Sequence, residues 1–181
     1  MSETSGAVSL RTMGEDDLGR VLEWRNLPAV ATYMYTDHRI TETEHAQWFA
    51  SVTKDETKRY WIIELDGAPV GLANLYDIST LHRRAYLGLY LADDRVRGMG
   101  VGSATDRFLM RHAFEDLGLE KLCAEVLATN GAGIKVHQHH GFQVDGILRR
   151  HVVKGDDRID VWTMSLLRDE WMADDETRET A

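Results

Sequence analysis

The stretch Tyr86-Leu-Gly-Leu-Tyr-Leu-Ala-Asp-Asp-Arg-Val-Arg-Gly-Met-Gly-Val-Gly-Ser103 decides how this chain is read. A seven-residue apolar run ends in a turn, a glycine comb follows, and an amphipathic helix from Ser103 to about Leu117 begins at once. Gly98, Gly100 and Gly102 alternate, so the backbone there can take positive φ and lie close to a ligand with no Cβ in the way. Arg95 and Arg97 flank the comb, and the amides that open the next helix have no intrahelical acceptors. A strand, a nest of N–H donors and a helix N-terminus together suit a pyrophosphate, so a phosphorylated cofactor is expected. The plain alternative is a Gly-rich turn before a helix.

Spacing narrows the choice of cofactor. Gly102 is followed by Ser103-Ala104, so the lysine of a Walker loop is missing. Gly98-Met-Gly-Val-Gly also departs from the Gly-x-Gly-x-x-Gly of a dinucleotide fold.

The 181 residues suggest one domain, taken as 8–171, between a flexible N-terminus (1–7) and a disordered acidic tail (172–181). With two prolines and no repeat or low-complexity tract, no linker is evident. The net charge of −9 argues against nucleic acid, whose phosphates demand a basic face. Met1 to Gly6 carries no cationic or apolar leader and no stretch reaches 18 apolar residues, so a cytoplasmic protein without a membrane partner is expected. Cys123, the sole cysteine, sits mid-strand and reads as a small buried side chain rather than a nucleophile.

In chain order, Val8 to Met13 alternates like a short strand, and Glu15-Asp-Asp opens a helix that places Leu18, Val21, Leu22 and Arg25 on one face. An aromatic segment, Tyr33-Met-Tyr-Thr36, precedes a capping box, Thr41-x-x-Glu44, for a helix carrying His45, Trp48, Phe49 and Val52. Two strands, Arg59 to Leu65 and Pro69 to Tyr76, form a hairpin about Asp66-Gly67. Arg84 to Leu91 and Lys121 to Leu127 are further strands, and Gly141 reads as the C-terminal cap of a short helix. Two last strands, Phe142 to Ile147 and Arg158 to Leu167, are joined through a Lys154-Gly-Asp-Asp157 turn. The order gives an α+β fold, a mixed and largely antiparallel sheet with helices on both faces.

Arg97-Gly-Met-Gly-Val-Gly102 resembles Arg/Gln-x-x-Gly-x-Gly/Ala, the acyl-CoA pyrophosphate loop of the GNAT N-acetyltransferases. Two further marks are similar to that family: Asn130…Gly141-Phe142 as Asn-x₁₀-Gly-Phe, and Tyr86-Leu-Gly-Leu-Tyr90 as the fourth strand, which holds pantetheine as a further strand would be held. The resemblance covers about Val8 to Leu167. It implies the acyl-CoA N-acyltransferase fold, acetyl-CoA as cosubstrate and no metal. Leu89, Leu91, Arg97, Gly98, Met99, Gly100, Val101, Gly102, Ser103 and Asn130 would hold the cosubstrate.

A closer resemblance lies in Leu22-Glu-Trp-Arg-Asn-x-Pro28, Met34-Tyr35, His45-x-x-Trp48, Tyr86 to Tyr90 and Glu125-Val126. These look like the pseudaminic-acid pathway enzymes, which acetylate the 4-amino group of a UDP-linked 4-amino-4,6-dideoxy sugar. That implies Arg25, His45 and Tyr90 at the nucleotide end, Met34, Tyr35 and Trp48 as an apolar wall for the 6-deoxy methyl, Asn74 beside the acceptor and Glu125 near the amine. The implied partner is thus a small-molecule amine, and a homodimer is compatible with it.

Direct transfer needs a neutral amine, an oxyanion donor and an acid for the thiolate. Glu125 could take the amine's proton, directly or through water, or serve as a paired structural carboxylate. His137 stands where the family commonly has a tyrosine facing the sulfur; histidine titrates near working pH and could supply the acid, unless water does so and the ring only packs. A backbone N–H at Leu91 or its neighbour would meet the oxyanion. His137, His139 and His140 do not share one helix face, which argues against a metal. Other acceptors stay open, a ribosomal-protein N-terminus or an aminoglycoside, as does a catalytically silent acyl-CoA-binding module.

Overall fold

The computed structural model describes residues 6–172. Among them seven strands form one sheet in the order β1-β2-β3-β4-β5-β7-β6. They are β1 (Val8–Thr12), β2 (Arg59–Leu65), β3 (Ala68–Ser79), β4 (Arg84–Leu91), β5 (Lys121–Leu127), β6 (Gln143–Lys154) and β7 (Asp157–Leu167). Every neighbouring pair is antiparallel except β4 and β5. Three helices, α1 (Leu18–Arg25), the four-residue α2 (Pro28–Ala31) and α3 (Glu42–Val52), precede β2; α4 (Val101–Arg111) joins β4 to β5, and α5 (Gly131–His139) joins β5 to β6.

Strand alternation divides the side chains between two layers. Trp61 and Ile63, Ala73 and Leu75, Ala85 and Leu87, and Leu122, Ala124 and Val126 point to one face and pack against Val101, Leu109, Met110, Ile134 and Phe142 of the α4/α5 side. Ile62, Leu72 and Tyr90 point to the other and pack against Val21 and Val30, with Trp24, Met34, Trp48 and Tyr60 around them. Burying a Leu, Ile or Phe side chain contributes about 1.5–3 kcal/mol, so the larger α4/α5 layer carries most of the stability.

The register leaves one edge of β4 partly unpaired. β4 pairs with β3 along its length, from Tyr86 opposite Tyr76 to Leu91 opposite Gly71. Its parallel partner β5 stays alongside only from Arg84 to Leu87. Beyond Leu87 the two strands part, while β5 keeps β7 as its other neighbour along its whole length, from Lys121 opposite Leu167 to Leu127 opposite Val161. Ala92 N–H donates to the Val70 carbonyl, 2.8 Å, so by alternation Tyr90 and Gly88 turn their backbone groups to β3. The amides and carbonyls of Leu89 and Leu91 therefore face the gap.

Most expected elements are present, with three differences. The strand expected over Phe142 to Ile147 runs on to Lys154, since β7 supplies partners as far as Asp157 opposite Lys154. That extension needs two bulges, and Arg150 takes a φ of 55° at the second. The capping box is half formed: the Thr41 hydroxyl accepts from Glu44 N–H, 3.2 Å, worth about 1 kcal/mol, but the Glu44 carboxylate turns to His38, 2.9 Å. The helix expected from Ser103 starts at Val101 and ends in a π-turn, His112–Asp116. The acidic tail lies almost wholly outside the described residues; at the other end Ala7 N–H donates to the Asp66 carboxylate and the Ala7 carbonyl accepts from Asp66 N–H.

Candidate active site

Gly98 and Gly100 both sit at a φ of +78°, and Gly100 is the N-cap of α4. Two left-handed residues so close together turn the chain and line up successive amides, a conformation other residues resist. A Cβ built at Gly98, Gly100 or Gly102 would meet nothing within 4 Å. The glycines thus border open space in front of the free amides of the α4 first turn, which is the shape a diphosphate requires. Arg97 and Arg95 stand beside it, each exposed and paired with a neighbouring carboxylate: Arg97 with Asp94 at 2.8 Å, Arg95 with Asp93 at 2.7 Å. Such exposed pairs are worth about 0–1 kcal/mol and are easily exchanged for a ligand phosphate. Val101 is buried, Met99 is exposed at the loop, and Ser103 points to the next helix.

The gap between β4 and β5 opens beside this loop. Asn130 caps α5 on its far side, its side-chain oxygen accepting from Gly133 N–H at 3.0 Å. His137, one of the two buried residues of α5, turns Nδ1 toward the Asp106 carboxylate of α4, 3.6 Å away, and tilts its ring against Phe142. Burial, and then His140, hold the His137 pKa down at about 4, so the ring is neutral at working pH. His140 meets Ser103 Oγ at 2.9 Å, and Arg107 donates to the same hydroxyl at 3.0 Å.

Glu125 lies across the sheet from His137, on the α1–α3 side. Its carboxylate accepts from the Tyr35 hydroxyl at 2.7 Å. Burial, together with that carboxylate, pushes the Tyr35 phenol well above its ordinary value. Tyr76 stacks on Tyr86 beside them, and His151 from β6 meets Tyr35 edge-on. The segment carrying Tyr35 is pinned from the end of β6, where Lys154 Nζ donates to the carbonyls of Ala31 (2.9 Å) and Thr36 (2.8 Å).

The other residues expected on the acceptor side lie around Arg25. Its guanidinium reaches only neutral partners, Met34 Sδ and Thr36 Oγ1, both at 3.3 Å, and among the described residues no carboxylate lies within 4.0 Å of it. Arg25 Nε, His45 Nε2 and Tyr90 Oη are buried and make no hydrogen bond. The arginine charge bears on both neighbours: burial and then Arg25 lower the His45 pKa, while burial raises that of Tyr90 against the pull of Arg25. Trp48 stacks on His45 at 4.9 Å and meets Tyr60 edge-on. Asn74 lies opposite Gly88, where its side chain occupies the place a Cβ would fill.

The structure therefore separates the expected residues into three sets. The loop and the β4 edge face the gap, His137 lies on the α4/α5 side, and Glu125, Tyr35 and the Arg25 group lie on the other. Asp106 and Lys154 escape a sequence reading. The signal for Asp106 was a carboxylate on the inward stripe of an amphipathic helix, four residues before the buried Met110. Nothing local marks Lys154, whose partners lie more than a hundred residues away.

Residues 8–143 match the acetyltransferase (GNAT) domain family. Spermidine N(1)-acetyltransferase of Escherichia coli K12 is 28% identical over 142 residues, 78% of this chain and 76% of the relative. Acetyltransferase PseH of Campylobacter jejuni is 26% identical over 132 residues, 73% of this chain and 80% of the relative. Among solved structures, spermidine N-acetyltransferase from Vibrio cholerae in complex with CoA and spermine superposes with a TM-score of 0.85 at 20% identity, over 91% of this chain and 98% of that one. With a family match over most of its length and this sheet, the chain belongs to the GNAT family of acetyltransferases.

Proposed function

We propose that this N-acetyltransferase, which draws its acetyl group from acetyl-CoA, delivers it to the primary amine of a UDP-linked 4-amino-4,6-dideoxy sugar. The observation that carries the acceptor class is the Arg25 group: a half-buried guanidinium with no carboxylate partner among the described residues, beside buried unpartnered polar atoms of His45 and Tyr90. A buried charge is retained when something pairs with it, and an anionic acceptor supplies that partner. Met34 and Trp48, packed in the layer about Tyr90, together with the exposed ring of Tyr35, give an apolar wall suited to a deoxy-sugar methyl group. The likeness to PseH points the same way.

In this reading the amides of the glycine loop and of the first turn of α4 hold the CoA diphosphate, Met99 apart, whose N–H donates to the Val96 carbonyl at 3.3 Å, and the free groups of Leu89 and Leu91 hold the pantetheine arm. Bound there, acetyl-CoA supplies an activated acetyl thioester. Glu125 accepts the ammonium proton, directly or through one water, so that the amine arrives neutral. The Leu91 N–H faces the thioester oxygen and stabilises the charge that develops on it. His137 protonates the departing sulfur from the opposite side of the gap.

A second reading has its own observation. Glu125 sits among Tyr35 and Tyr76, a carboxylate with aromatic faces that also suits a polyamine, as in the spermidine acetyltransferases to which the chain is similar. Thiol release from acetyl-CoA, followed with the UDP-amino sugar, spermidine and N-terminal peptides, separates the two. The sugar nucleotide should give the highest kcat/KM, and Arg25→Met should raise its KM about tenfold or more. Preference for spermidine, with Arg25→Met indifferent, would overturn the assignment.

A further inference from the structure

We infer that Asp106 is a positioning residue that stores the proton His137 delivers to the thiolate, so that carboxyl and imidazole act as one acid. The inference rests on the reading of His137 as the group that faces the sulfur, and it adds a residue and a proton path to it.

Both oxygens of Asp106 are buried and neither makes a hydrogen bond, while its side chain is 0% exposed. A carboxylate so placed is strongly disfavoured unless it is protonated or paired. Its nearest partner is His137 Nδ1, also buried and without a hydrogen bond, at 3.6 Å. A few tenths of an ångström of closure makes this a hydrogen bond, the kind of tightening that catalytic contacts undergo when the ligand arrives. The other charged groups about the pair are Arg107 on α4, which acts weakly on Asp106, and His140 on α5, which acts on His137. Neither supplies a counter-charge close enough to hold Asp106 ionised: burial raises its pKa to about 7.

Near neutrality the pair thus holds one proton, on the carboxyl. The Asp106 hydroxyl donates to Nδ1, which forces the tautomer with hydrogen on Nε2 and aims that N–H away from Asp106. When the sulfur departs as thiolate, the Nε2 proton forms the S–H bond and the Asp106 proton moves to Nδ1. The imidazole ends neutral in its other tautomer, Asp106 ends as carboxylate, and one proton from solvent resets the pair. No imidazolium forms, which suits a ring whose burial opposes charge.

The test has two arms. Nitrogen-15 spectra of the histidine rings in the CoA-free protein should show His137 protonated on Nε2 at pH 6 and a single titration near pH 7 that moves hydrogen toward Nδ1. Asp106→Asn, whose amide also donates to Nδ1, should keep the first tautomer and abolish the titration. In turnover, Asp106→Asn should lower kcat tenfold or more at unchanged KM for acetyl-CoA and remove the alkaline limb of the kcat profile. A wild-type His137 that shows no change between pH 6 and 8, or an Asp106→Asn enzyme that keeps both kcat and the limb, overturns the inference. Absence of thiol release with every amine would instead strike the proposed function, and the spectra still judge the proton pair.

Discussion

Consider His137 and Asp106 as single titrating residues. Folded, the histidine is held at about 4 and the aspartate is raised to about 7, against ordinary values of 6.5 and 3.8. Between about pH 4 and 6.5 the folded pair carries one proton on Asp106, and the unfolded chain carries one on His137. Equal proton counts mean that the pair adds no slope to stability in that window. Single substitutions uncover the two halves. In Asp106→Asn, the folded pKa of His137 lies below its unfolded value, so stability is complete above about pH 6.5 and is lost as the pH falls toward 4, by up to roughly 1 kcal/mol per unit. In His137→Phe, the folded pKa of Asp106 lies above its unfolded value, so stability falls instead as the pH rises from about 4 to 7. His45, also lowered by burial, adds the same acid-side loss to every variant and cancels in the comparison. Urea unfolding at pH 5 and 7 reads the opposed signs; variants that respond in parallel would contradict the pairing. Glu125 calls for a different measurement. If it receives the amine proton, Glu125→Gln should lower kcat by about 10²- to 10⁴-fold while CoA binding stays as it was, and a wild-type rate would return the residue to a structural role beside Tyr35.

At the scale of elements, the cofactor half is built from local rules. The glycine comb, the strand before it and the helix after it are adjacent in sequence, so propensity, turn chemistry and the helix terminus could be read together without tertiary knowledge. Gly100 shows how directly that translates: its φ of +78° is the N-cap of α4, and a Cβ there would face open space rather than a neighbour. Gly100→Val would strain the backbone by about 1–3 kcal/mol and place two methyl groups near where the diphosphate belongs. Calorimetry should then register no CoA binding while circular dichroism still reports the folded chain, and retained affinity would move the cosubstrate to another site. Asn130 stood out through its resemblance to a family signature rather than through a local rule, and its side chain caps α5. The length of β6 was not, because strand pairing with β7 through two bulges, rather than any preference within Leu148 to His151, carries it to Lys154. Tyr35 stands between these cases: its aromatic segment was visible, but its bond to Glu125, ninety positions away, belongs to the tertiary fold.

For the whole molecule, the sheet is both wall and doorway. Its two faces carry different side chains, and β4 and β5 part after Leu87. The proposed acid, His137 on the α4/α5 side, and the proposed base, Glu125 on the α1–α3 side, would therefore address one reacting centre without neutralising each other. Sequence periodicity foretold the layers but not this opening, since no residue of β4 or β5 announces where its neighbour leaves. The acceptor side depends on a second long-range device, the reach of the β6–β7 hairpin across to the segment after α2. Lys154 holds the carbonyls of Ala31 and Thr36, and Gly155 N–H donates to Asp37 at 2.8 Å. Those bonds bracket Met34 and Tyr35, so the proposed apolar wall is held by a strand pair separate from the glycine loop. Lys154→Met keeps the length of the stem and loses both bonds, which at this part-buried position are worth about 0.5–1 kcal/mol each. The segment should loosen, raising KM for the amine several-fold while the dissociation constant for CoA is unchanged and thermal unfolding shifts by only a few degrees. Equal losses in CoA and amine binding would mean that the hairpin supports the sheet as a whole rather than the acceptor wall alone.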